Sequence, residues 1–180
     1  MIMKDSKYDL NGHKLVLRNA TEEDAQILID YLKTTAVETP YLIKELEEIN
    51  LTLEEEIEFI RMNNESENSE LIMGFLDGEY VGNCSIMGNS RLRYKHRATV
   101  GIALYLKYTN MGIGSIMFEK MIENAYEKGI EQLELEVVAS NQSGLALYKK
   151  MGFETWGTFP NKMKYKDGTY ADCYWMIKKL

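Results

Sequence analysis

The sequence predicts an α/β fold, with one domain over residues 1–180. A mixed, mostly antiparallel central β-sheet carries helices on both faces. Three observations support this. Apolar segments of strand and helix period follow one another in the order β-α-α-β-β-β-α-β-α-β-β. Asp77-Gly78 separates two apolar runs, which signals a hairpin and antiparallel pairing. The long apolar run Ala98–Leu106 leads into a glycine-rich turn and then a helical stripe.

Residues 1–12 show no clear pattern and read as a ragged lead-in. Lys14–Arg18 alternates and predicts a short first strand. Thr21 is a helix cap, with Glu22, Glu23 and Asp24 in the first turn. Ala25, Ile27, Leu28, Tyr31 and Leu32 then fall on one helical face as far as Thr35, and Thr39-Pro40 breaks the run. Thr52 caps a second helix, which Ile57, Phe59, Ile60 and Met62 carry to about Asn64. Leu71–Leu76 and Tyr80–Met87 form the hairpin, and Gly88–Arg97 reads as a charged loop. A third helix bears Ile116, Met117, Met121, Ile122 and Ala125, and stops before Gly129. Leu133–Val138 predicts a strand with one apolar face and one largely acidic face, through Glu134 and Glu136. Gln142–Met151 is a short helix ended by Gly152. Phe153–Thr158 and Tyr170–Lys178 are the last strands, joined by a loop containing Pro160 and Asp167-Gly168.

With 28 acidic and 21 basic residues the net charge is −7, which argues against non-specific nucleic-acid binding. It is compatible with a cationic substrate such as an amine, although acidic surfaces mostly serve solubility. Cys84 and Cys173 lie far apart and form no metal-ligand pattern, as expected in a reducing compartment. No apolar run approaches the roughly 20 residues that span a bilayer. The first residues lack an apolar signal core, so no membrane is expected and the expected location is cytoplasmic. His13 and His96 have no companions for metal binding.

The stretch Tyr108-Thr109-Asn110-Met111-Gly112-Ile113-Gly114-Ser115 follows a strand and opens a helix. Free backbone N–H groups and the positive end of the helix dipole face an anion in such a place. Downstream come Leu135-Glu136-Val137, then Asn141, then Tyr148 within Ala146-Leu147-Tyr148-Lys149-Lys150-Met151-Gly152-Phe153. In order and spacing these elements resemble the GNAT superfamily of acetyl-CoA-dependent N-acetyltransferases. The segment Asp167-Gly168-Thr169-Tyr170-Ala171-Asp172 is similar to the closing part of many bacterial members. In particular it resembles the ribosomal-protein alanine N-acetyltransferase branch and its uncharacterised relatives.

The resemblance implies a GNAT-like fold and acetyl-CoA as cosubstrate, with no metal. It implies that the backbone of Leu104, Tyr105 and Leu106 pairs with the cofactor's arm, and that Met111, Gly112, Ile113, Gly114 and Ser115 receive its diphosphate. In this turn the family usually carries Arg or Gln where this chain has Thr109, which offers a hydroxyl without charge. Asn141 is open to two roles, a helix N-cap and a contact to the cofactor's arm. Tyr148 is implied to protonate the departing thiolate; its alternative is an aromatic on the core face of a short helix. Glu136 matches the position of a general base, against which stand a solvated carboxylate and a water chain. The basic run Arg91-Leu92-Arg93-Tyr94-Lys95-His96-Arg97 reads mainly as a solvated loop, with the cofactor's 3′-phosphate or a partner's acidic patch as other uses.

The expected activity is transfer of acetyl to a primary amine by direct attack in a ternary complex. The amine belongs to a small molecule or a protein N-terminus. Tyr41, Glu38 and Glu45 are expected acceptor contacts. The alternative is a CoA-binding sensor or regulatory module. Oligomeric state stays open, a homodimer included.

Overall fold

The computed structural model describes residues 2–180. Eight strands form one sheet: β1 (Ser6–Leu10), β2 (His13–Asn19), β3 (Glu70–Leu76), β4 (Glu79–Gly88), β5 (Arg97–Leu104), β6 (Gln132–Val138), β7 (Glu154–Lys164) and β8 (Tyr170–Lys179). Their spatial order is β1-β2-β3-β4-β5-β6-β8-β7. Four α-helices are present among the described residues: α1 (Ala25–Glu38), α2 (Leu53–Glu65), α3 (Ile113–Glu127) and α4 (Gln142–Lys150). All neighbouring strands are antiparallel except β5 and β6, which run parallel because α3 carries the chain back between them. The expected mixed, mostly antiparallel sheet is therefore present.

Two hydrophobic layers occupy the two faces of the sheet. Along β3, Ile72 points to one side while Leu71 and Met73 point to the other, as strand geometry demands. Ile72 joins Leu15, Leu17, Ile86, Val100 and Leu135 beneath α3 and α4. Leu71 and Met73 pack with Ala25, Leu28 and Ile60 beneath α1 and α2.

The ragged lead-in is corrected: Ser6–Leu10 is an edge strand paired with β2. Asn11 at φ 54° and Gly12 at φ 86° supply the left-handed turn that a tight hairpin needs, the same chemistry as Asp77 and Gly78 at 50° and 88°. The Pro160 loop is also shorter than expected. β7 runs through Pro160, because an edge strand tolerates a residue without an N–H at a bulge. Asn161 turns to φ 51° there, and its N–H donates to Asp172 Oδ1 at 2.8 Å. Helix α3 begins at Ile113, three residues ahead of the predicted stripe.

The acidic face of β6 divides in two. Glu134 is only 9% exposed, and both its oxygens accept from Arg97 Nη1 at 2.8 and 2.9 Å. Only Glu136 is the exposed carboxylate that the pattern suggests. The rest of the basic run, Arg91–His96, is an exposed loop as expected.

At the start of α2, Thr52 and Glu55 cap each other's backbone, confirming the N-cap. One turn on, Glu56 is only 4% exposed, and no donor among the described residues reaches its carboxylate. Burial pushes its pKa up, against a weaker opposing effect from Lys44. A raised folded pKa means that the charged form costs stability. The cost is absent below the unfolded value near 4.5 and grows as pH rises through the folded value. Glu56→Gln is therefore expected to raise Tm at pH 7, with the gain shrinking toward pH 4. Thermal melts at the two pH values check this; an equal or larger gain at pH 4 would contradict it.

Candidate active site

The ladder between β5 and β6 has only three rungs: Arg97 with Gln132, Ala98 with Leu133 and Thr99 with Glu134. Beyond Thr99 the strands part. Each stays bonded to its outer neighbour, β5 to β4 as far as Leu104 and β6 to β8 as far as Val138. A wedge opens between Val100–Leu104 and Leu135–Val138, lined by backbone edges that no strand of the sheet satisfies. The Arg97–Glu134 ion pair spans its apex.

Helix α3 begins at the mouth of this wedge. Gly112 takes the left-handed conformation at φ 86° and is the N-cap, so no side chain satisfies the first amides. Within the helix the Ile116 N–H finds the Gly112 carbonyl at 3.3 Å. The N–H groups of Ile113, Gly114 and Ser115 have no acceptor among the described residues. No acidic residue lies in the first turn. Leu147 of α4 and Ile102 and Leu104 of β5 crowd around Gly114, so three elements converge there. Met111 is exposed in the approach to the turn.

The turn's hydroxyl is not free: Thr109 Oγ1 donates to the Leu106 carbonyl at 2.8 Å. The segment expected to pair along the cofactor's arm is also shorter than the sequence suggests. β5 ends at Leu104, the Tyr105 N–H donates to the Val81 carbonyl at 2.9 Å, and Leu106 lies in a short 3-10 turn. The Leu106 N–H is taken by Glu38 Oε2 at 2.8 Å.

Tyr148 sits on α4, 8% exposed, packed against Phe118 and Phe153 at ring-centroid distances of 5.5 and 6.3 Å. Its hydroxyl has no partner among the described residues, yet it is not sealed from solvent. Burial pushes the phenol's pKa up to about 12. Asn141 is the N-cap of α4, its Oδ1 accepting from the Gly144 N–H at 3.0 Å. Glu136 is exposed and ion-paired to Lys162 Nζ at 3.3 Å.

The end of α1 and the segment after it tie the two banks of the wedge together. Glu38 holds Leu106 at the end of β5, and the Tyr41 hydroxyl reaches the Ser140 carbonyl beyond β6 at 3.5 Å. Glu45 pairs with Lys166 at 3.4 Å, and the Tyr165 hydroxyl donates to the Pro40 carbonyl at 3.2 Å. Pro40, Tyr41, Glu45, Ser140, Tyr165 and Lys166 line a depression of about 470 Å³. The three expected acceptor contacts thus belong to one strap, with Glu38 and Tyr41 on opposite banks.

Two features escaped the sequence. Tyr31, Tyr80 and Tyr105 form an edge-to-face cluster, and the Tyr31 hydroxyl donates to the Ala103 carbonyl at 3.0 Å, so α1 is anchored to β5. Lys150 Nζ donates to Ser115 Oγ at 2.9 Å, at the α3 mouth. A signal for the second was present: Leu147 and Lys150 are three apart on a helix and share a face. His13 pairs with Asp77 on the surface.

The model of the acetyltransferase (GNAT) family matches residues 32–153. The chain belongs to that family, by a match that covers both the wedge and the α3 turn. An acetyltransferase of the GNAT family from Streptococcus pneumoniae has 32% identity and a TM-score of 0.88, covering 92% of this chain and 99% of that one. The Escherichia coli L-amino acid N-acetyltransferase AaaT is 32% identical over 108 residues, 59% of this chain and 66% of its own length. The ribosomal protein bS18-alanine N-acetyltransferase of the same species is 38% identical over 52 residues, 29% of this chain and 35% of its own. These two curated relatives are thus matched over less than two thirds of their length.

Two glycine substitutions probe this mouth. A Cβ on Gly114 would meet nothing closer than 3.6 Å, whereas Gly112 has φ 86° and strains any side chain. Gly114→Ala should leave Tm within about 2 °C and CoA affinity within about twofold, because its Cβ would make ordinary contacts with Leu147, Leu104 and Ile102. Gly112→Val should lower both. Calorimetry and a CoA titration check both; unchanged CoA affinity in Gly112→Val would remove the cradle from the account.

Proposed function

We propose that this protein transfers an acetyl group from acetyl-CoA to a primary amine, by direct attack in a ternary complex. The observation that carries the proposal is the convergence of three features at one point. These are unclaimed amides at the α3 mouth, unpaired strand edges leading from it, and, on the helix whose Leu147 meets Gly114, a phenol without a partner among the described residues. Acetyl-CoA fits these residues, because its diphosphate matches a positive helix end without an acidic neighbour and its arm matches an open strand edge. When bound it supplies an activated thioester.

The chain's residues then have distinct tasks. The amides of Ile113, Gly114 and Ser115 hold the diphosphate, with Gly112 giving the backbone its approach. The inner edge of β5 up to Leu104 aligns the arm. Asn141, besides capping α4, fixes the backbone where β6 turns into that helix. The Tyr148 phenol, with its pKa near 12, keeps its proton through the neutral range. It donates a hydrogen bond to the departing sulfur, which stabilises the developing thiolate. Full proton transfer from so weak an acid to a thiolate is uphill, so stabilisation by the hydrogen bond is its main contribution. Glu136 serves as the base once it leaves Lys162; otherwise a water chain takes the amine's proton.

The acceptor is most simply an α-amine. The two E. coli relatives are named for an L-amino acid and for a ribosomal-protein alanine, and both carry such a group. The strap residues Glu38, Tyr41 and Glu45 stand beside its entry. Neither cysteine suits an acetyl-enzyme intermediate: both are buried, and burial pushes both thiol pKa values up.

Thiol release measured over a panel of amines, with mass detection of the product, tests the proposal. CoA binding without release for any amine would favour a sensor module. Tyr148→Phe is expected to lower kcat about 100-fold while the acetyl-CoA Kd stays within about twofold. A wild-type kcat would reduce Tyr148 to packing. The alkaline limb of kcat below pH 11 is expected to persist in this variant, because the phenol does not ionise there. Glu136→Gln should lower kcat/KM; an unaltered kcat/KM assigns the proton to water.

A further inference from the structure

The charge that the glycine turn lacks is available from another element. Thr109 stands where similar turns carry Arg or Gln, and its hydroxyl is committed to Leu106. Lys107, the nearest lysine of the preceding 3-10 turn, is engaged with Glu79 at 3.6 Å. Lys150 approaches from α4, and its Nζ lies 2.9 Å from Ser115 Oγ.

That position is electrostatically unfavourable as it stands. A helix N-terminus carries positive partial charge, and an ammonium beside it is repelled. Among the described residues the hydrogen-bond partner of Lys150 is a neutral hydroxyl, and no acidic side chain lies in the first turn of α3. In a chain of net charge −7, three unclaimed amides and an ammonium without a carboxylate partner form a local excess of positive charge. The needs of α4 do not explain it. A lysine in the last turn of α4 complements that helix's negative end, but Lys149 is already there.

We infer that Lys150 is the side-chain cation for the diphosphate of CoA, replacing from α4 the charge absent at Thr109. The inference rests on the proposed cofactor site at the α3 mouth. Ser115 is a positioning residue: it holds the ammonium within reach of that site until a phosphate oxygen takes over, exchanging a neutral partner for a charged one. The recognised chemistry is the diphosphate shared by every acyl-CoA, not the acyl group.

Calorimetric titration of the full chain with CoA, 3′-dephospho-CoA and pantetheine tests this. Lys150→Met should weaken CoA and 3′-dephospho-CoA alike by about tenfold or more, and flatten the salt dependence of both. Pantetheine, which has no phosphate, should bind both proteins equally. Lys150→Arg should keep the affinity, Lys149→Met should not change it, and Thr109→Arg added to Lys150→Met should restore it in part. The Tm of Lys150→Met should hold or rise, because a repulsive charge is removed. Undiminished CoA affinity in Lys150→Met overturns the inference, and so does a loss seen with CoA but absent with 3′-dephospho-CoA, which would assign the lysine to the 3′-phosphate. Failure of the unaltered protein to bind CoA is a separate result, and it removes the cofactor site itself.

Discussion

The architecture depends on a ladder that stops early. After Thr99 and Glu134, β5 and β6 no longer bond to each other. An ordinary sheet would satisfy those backbone groups with another strand, because unpaired edges are costly when buried. Here they are left available, and the parallel direction of the two strands brings both carboxyl ends to the same side. The chain leaving β5 enters α3 there, and the chain leaving β6 enters α4. The α3 mouth and the start of α4, which carries Asn141 and Tyr148, lie toward the same side of the sheet for that topological reason. Arg97 and Glu134 matter because they sit where the separation begins: their ion pair keeps the two strands together up to the last rung.

The two sides of the sheet divide the work. α3 and α4 share one packed layer, which includes Tyr148, Phe118 and Phe153. α1 and α2 share the other, smaller one. The end of α1 and the irregular chain after it are held by polar ties to the turn after β5, to the loop after β6 and to the β7–β8 turn. A segment held mainly by polar ties is easier to remodel than one held by a core.

The sequence revealed most where a local rule governs the outcome. Asp77-Gly78 needs only turn chemistry, and the Thr52 cap needs only four residues. The Gly112 turn announces itself because glycine's left-handed freedom is used there. Asn11-Gly12 obeys the same turn rule, but the short, half-exposed strands around it hid the pattern. Pro160 suggested a loop because its missing N–H forbids an interior strand; that β7 is an edge is a fact of topology, not of local sequence. Glu134 and Glu136 look alike in one dimension. They are separated by Arg97, which is 37 residues from Glu134 in the chain. Lys150 escaped for the same reason, since its partner Ser115 lies on a different helix.

The ring of Tyr148 is wedged between two phenylalanines, while its oxygen lacks a partner among the described residues. On the reading proposed above, a group seated this way is aimed before any visitor arrives, and little ordering entropy remains to be lost at the moment of reaction. On the proposed reading, descendants of this gene can redraw the strap to admit a different nucleophile while the Tyr148 ring stays fixed, because polar ties hold the one and a packed core holds the other.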